Sequence, residues 1–154
     1  MLIKDNIIKD NINKKIALLL LLSFILYSPL IFFGYGSDND SYRVVNSGTE
    51  LVKHFKYEPS RYPGYFFHEI ITGLAVLIGG SIASNLITLA MSLLTIFMFI
   101  KICQFFNIEN IFPITLILII HPIYWVNSTS TIDYIWAIAF LMSGYYLHLK
   151  NKYL

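Results

Sequence analysis

Asp38-Asn39-Asp40 is where two carboxylates first stand close enough to act together, shortly after a long apolar run. Acids two residues apart can share a divalent cation, because hard ions take carboxylate oxygens and bridge them to substrate phosphates. A magnesium or manganese ion is the cofactor such a pair would hold. Either acid could instead take a proton from an acceptor hydroxyl as general base. Arg43 and Arg61 follow, and guanidinium groups match phosphate bidentately. His68 and Glu69 add titratable groups at the same depth, as does His54. The candidate site is therefore Asp38 and Asp40 for catalysis or metal binding, with Arg43, Arg61, His68 and Glu69 for substrate. The plainer reading is that a hydrophilic loop contains acids and arginines anyway, and a D-x-D motif has little specificity by itself.

The elements that must position these residues are those of a membrane protein. The chain has 154 residues, 56% hydrophobic and 13% charged. Soluble domains carry about 25% charged residues. The apolar excess falls in runs, and a bilayer-crossing helix needs roughly 20 such residues. The expected fold is all-α and polytopic, in one transmembrane domain. Four spans are read at 16–33, 81–100, 111–126 and 135–149, after a cytoplasmic stretch 1–15. Residues 34–80 form an outer loop with a helix lying along the membrane. A net charge of +2 is too small to suggest nucleic acid as a partner. The single Cys103 excludes an internal disulfide and a multi-cysteine metal site.

Orientation follows from the lysines. Lys4, Lys9, Lys14 and Lys15 precede the first run and place the N-terminus in the cytoplasm, in the cell membrane. No small-x-small cleavage site precedes Gly34, so the first run reads as an uncleaved anchor rather than a signal peptide. Residues 66–80 are apolar but short, and Gly79-Gly80-Ser81 interrupts them. If this segment does not cross, Lys101, Lys150 and Lys152 all fall on the cytoplasmic side; if it does, all three fall outside. The positive-inside rule favours four spans and a non-crossing helix.

Smaller features refine the picture. Ile3, Ile7, Ile8 and Ile12 recur at near-helical spacing, which suggests a short interfacial helix. Residues 47–57 predict a second surface helix with Leu51, Val52 and Phe55 on one side. Ser81, Ser84, Thr88, Ser92 and Thr95 share a face of the second span, where small residues let helices approach in lipid. His121-Pro122 bends or ends the third span, and Tyr124 and Trp125 mark the outer interface. Asn127-Ser128-Thr129 is a formal sequon too close to the membrane to count. Asp133 either caps the fourth helix or points into a site.

The order of these parts resembles that of the multi-spanning glycosyltransferases that use lipid-phosphate sugars, the GT-C superfamily. The likeness is to the branch with dolichyl-phosphate-mannose protein mannosyltransferases and lipid A aminoarabinose transferases. It rests on Asp38-Asn39-Asp40, Arg61-Tyr62-Pro63-Gly64, the 66–80 helix, His121-Pro122 and Asp133, and spans roughly residues 15–150. It implies transfer of a sugar from a polyprenyl phosphate to a hydroxyl at the outer face. Carried over, Asp38 or Asp40 would be the catalytic acid and Arg61 a phosphate contact; His68 and Glu69 have no secure counterpart. Members of that superfamily run much longer, so the chain is expected to be an N-terminal piece of such an enzyme. The alternative is a small non-catalytic protein of several spans, an accessory or assembly subunit with a membrane-protein partner. A transporter fragment fits less well, because His121 alone is ionisable at depth and transport pathways usually show more intramembrane charge.

Overall fold

A computed structural model describes residues 2–153, with side chains from 13 to 152. All its regular elements are helical: α1 (Leu2–Tyr27) passes into a 3₁₀ turn (Ser28–Phe32), then come α2 (Asn39–His54), α3 (Phe66–Phe105), α4 (Ile111–Ile120), α5 (Pro122–Asn127) and α6 (Tyr134–Tyr153). No strand occurs among the described residues. The all-α expectation therefore holds. The amphipathic reading of Ile3, Ile7, Ile8 and Ile12, with Lys4 and Lys9, lies outside the described side chains.

Local chemistry sets most of the boundaries. Pro29 stands at the start of the 3₁₀ turn, where its missing N–H ends the α-helical ladder of α1. Asp38 has extended backbone angles and its carboxylate accepts the Asp40 N–H at 3.0 Å, which makes it the N-cap of α2. The helix thus begins at Asn39 rather than near Ser47, because the cap lies well upstream of Leu51 and Val52, whose apolar spacing suggested it. It stops at Phe55, which turns into the left-handed region (φ 54°) and is 90% exposed, rather than joining Leu51 and Val52 on a packed side. His121 precedes a proline and is driven to extended angles, so α4 ends there and α5 starts with Pro122 in its first turn.

Helix α3 is 40 residues long, about 60 Å at 1.5 Å per residue, twice a hydrocarbon core of about 30 Å. It is not straight. Gly79 and Gly80 leave helical angles, and Gly80 (φ 60°, ψ −143°) occupies a region open in practice to glycine alone. The kink divides α3 into a first arm, residues 66–78, and a second arm, residues 81–105. Among the described residues, two helical stretches are long and apolar enough to cross a membrane: Asn13–Phe32 and Phe66–Phe105. Helix α4 has only 10 residues, and α6, at 20, carries Tyr145, Tyr146, His148 and two lysines in its C-terminal half.

The apolar core lies between α1, the second arm of α3 and α4, where Leu19, Ile96, Ile100 and Ile119 are almost fully buried. Beside it runs a polar seam. The Asn85 amide donates to the carbonyls of Ile31 and Gly34, and its oxygen accepts the Thr131 hydroxyl at 2.9 Å. Ser92 donates to the Ser128 carbonyl at 2.7 Å, and the Trp136 indole donates to Thr88. Ser84, Thr88, Ser92 and Thr95 are all buried, so the small-residue face packs against its neighbours and also stitches the 28–34 and 128–131 turns to α3. Tyr124 is part of this packing. It is 7% exposed and donates to the Ser92 carbonyl, so it packs inside the protein rather than facing outward as a belt residue would; Trp125 is 37% exposed.

Candidate functional site: a charged cluster on Arg61

Helix α2 lies against the first arm of α3, and the approach is backbone to backbone. A Cβ on Gly73 would fall on the Gly48 carbonyl, and one on Gly48 would fall on the Glu69 carbonyl. Two glycines facing each other permit this separation. It brings the start of α2, the loop 55–65 and the start of α3 into one small volume.

Two acids anchor the loop from different sides. Glu69, on α3, is completely buried. One of its carboxylate oxygens accepts the Tyr57 hydroxyl at 2.6 Å; the other accepts both the N–H of Ser60, at 2.8 Å, and its hydroxyl. Burial, reinforced by Glu69, pushes the Tyr57 phenol up to about 12. On the other side Arg61 pairs with Asp133, which stands immediately before α6 and is 6% exposed. Its second terminal nitrogen is 3.3 Å from Asp40. The guanidinium lies over the rings of Tyr65 and Tyr134, at 5.0 and 5.6 Å from their centroids. Partial burial opposes the charge on Arg61, but Asp133 and Asp40 outweigh it and raise its pKa. Arg43 reaches the other oxygen of Asp40 at 3.5 Å from a largely exposed position.

His68 faces the same region. It is 5% exposed, with Nε2 at 3.5 Å from the Thr72 hydroxyl and its ring edge-on to Trp136 at 4.9 Å. Burial pushes its imidazole down to about 4; Arg61 adds to this, while Asp133 and Glu69 oppose it.

Compared with family models, curated proteins and solved structures, the chain matches none.

Of the six candidate residues, Asp40, Arg43 and Arg61 come together. Asp38 does not join them: it is exposed and spends its carboxylate on capping. Glu69 and His68 lie on the adjoining arm, and Glu69 is turned toward Tyr57 and Ser60. A magnesium or manganese ion does not fit this donor set. Asp38 and Asp40 do not present two open carboxylates, since Asp40 already meets two guanidiniums. Among the described residues no three His, Cys, Asp or Glu side chains are grouped to hold a metal. The residue added by the fold is Asp133, signalled in the sequence by an acid just ahead of an apolar helix. Tyr57, Ser60, Tyr65 and Tyr134 carried no comparable signal.

Proposed function

We propose that the chain belongs to a membrane glycosyl-transfer system, working at the outer face on a sugar carried by a polyprenyl phosphate. The observation that carries this reading is the convergence of Asp40 and Asp133 on Arg61, beside the rings of Tyr65 and Tyr134. In the reaction, the bond from the sugar C1 to the phosphate oxygen breaks and a bond to an acceptor hydroxyl oxygen forms. Asp40 takes the hydroxyl proton, and the polyprenyl phosphate leaves as an anion beside Arg43, which is exposed and able to turn toward it.

The same reading sets the topology. Segments 16–33, 81–100, 111–126 and 135–149 cross, the N-terminus is cytoplasmic, and α2 with the first arm of α3 lies at the outer surface. The break at Gly79 and Gly80 supports a helix that changes direction at the interface. A cavity of about 430 Å³ that Lys15 shares with Gln104 and Glu109 supports the shared side for Lys15 and the end of α3.

The test is transfer by the full chain in proteoliposomes, supplied with decaprenyl-phosphate mannose or decaprenyl-phosphate arabinose and a hydroxyl acceptor. The expected result is sugar transfer that Asp40→Asn abolishes while membrane insertion is unchanged. Normal insertion with no transfer from either donor, together with co-purification of a larger membrane protein, would favour the accessory-subunit reading instead.

A further inference from the structure

Between the first arm of α3 and the start of α6 lies a cleft of about 270 Å³. Phe66, Phe67, Trp136 and Phe140 form its walls, and Phe67 stacks edge-on with both Trp136 and Phe140. These walls are open: Phe66, Phe67 and Phe140 are each about half exposed. Three lining groups are ionisable, the Tyr65 phenol, His68 and Asp133. His68 is the unusual one. Its Nδ1 is buried and has no hydrogen-bond partner, a costly state for a polar atom. In the tautomer that carries its proton on Nε2, toward the Thr72 hydroxyl, Nδ1 is an acceptor. Asp133 adds carboxylate oxygens to the same lining.

Such a cleft asks for an apolar body and a head that donates a hydrogen bond. An anionic head would face the Asp133 carboxylate, and the Arg61 guanidinium is engaged by Asp133 and Asp40. A cationic head would add to a pair already balanced by Arg61. We infer that this cleft binds an uncharged, hydroxyl-bearing amphiphile, its chain along Phe67, Trp136 and Phe140 and its O–H donated to His68 Nδ1. This binding does not rest on the function proposed above, in which the acceptor hydroxyl meets Asp40, a residue outside the lining of this cleft. The donor phosphate is excluded from this cleft and must sit elsewhere.

The probe is a dibrominated stearyl alcohol, compared with the phosphate monoester and the bromoalkane of the same chain. Bromine quenches indole fluorescence at contact. The chain has two tryptophans, so Trp125→Phe in lipid nanodiscs leaves Trp136 as the reporter. Saturable quenching is expected, with half-saturation roughly tenfold lower for the alcohol than for the phosphate or the alkane, the worth of one good hydrogen bond. His68→Phe should erase that preference, while His54→Phe, on an exposed turn of α2, should keep it. Ala137→Leu, at an exposed position of the cleft, should weaken all three probes. Equal half-saturation for the three probes, a preference for the phosphate, or an alcohol preference that survives His68→Phe would overturn the inference. Quenching is read without transfer, so a chain that binds the alcohol and moves no sugar would sustain the inference and remove the proposed function.

Discussion

The guanidinium of Arg61 meets the carboxylate of Asp133 across 72 residues of sequence. This pair ties the irregular 55–65 loop to the residue just ahead of α6, and both partners are largely out of solvent, at 20% and 9% side-chain exposure. Asp133→Ala leaves Arg61 with Asp40 alone, and Arg61→Ala leaves Asp133 facing His68 with no cation. Each single change should cost about 1–3 kcal/mol, the scale for stranding one partner of a charged hydrogen bond. The double variant should cost less than the sum. Reversible unfolding in mixed micelles, run as a double-mutant cycle, checks it; strict additivity would mean the pair contributes nothing of its own.

The Gly48–Gly73 crossing allows a cleaner test of packing. Gly73→Ala should destabilise by about 1–3 kcal/mol, because the added methyl would meet the Gly48 backbone, which has no rotamer to give way. Gly144→Ala, in α6 with open space around it, should stabilise by about 0.5–1 kcal/mol from helix propensity. Thermal midpoints that fail to separate the two would argue against the close approach.

Gly80 holds α3 in two arms with backbone angles that alanine reaches only at a cost of about 1–3 kcal/mol. Gly80→Ala should lower stability, or straighten α3 and move the first arm. A spin-label pair on exposed Leu77 and Leu86 would register the second outcome as a changed separation.

Acid should destabilise the fold through His68. Its imidazole is held near 4 in the folded state, against 6.5 ordinarily. The unfolded chain therefore binds the proton first, so this contribution is fully present above pH 6.5 and is lost as pH falls toward 4. At about 1.4 kcal/mol per unit, the loss is about 3 kcal/mol. Unfolding free energies at several pH values across that window should fall for the native chain. They should fall much less for His68→Gln, which no longer titrates there.

Much of the fold was legible because its signals are local. Asp40, Arg43 and Arg61 stood out as charges between apolar runs, and the Gly79-Gly80 break and the His121-Pro122 stop follow from backbone chemistry. The start of α2 was not legible, because Asp38 reads equally well as a metal ligand and as a cap until the Asp40 N–H is seen to point at it. Tyr124 was misplaced for a related reason. An aromatic near a span end suits an interface or a core, and the Ser92 carbonyl that decides between them is far away in sequence. Asp133 offered two roles, and the choice depended on Arg61, which no periodicity connects to it.

The stretch 55–65 is polar, irregular and at the surface, the kind of segment that ordinarily tolerates insertions and affinity tags. Here it supplies the donors for a fully buried glutamate at one end and the counter-charge of an aspartate near the other. A peptide spliced into it would strand one acid on α3 and another just ahead of α6. Epitope tags and fusion junctions therefore belong at the exposed turn near Asn107, and natural length variation should be scarce between Tyr57 and Arg61.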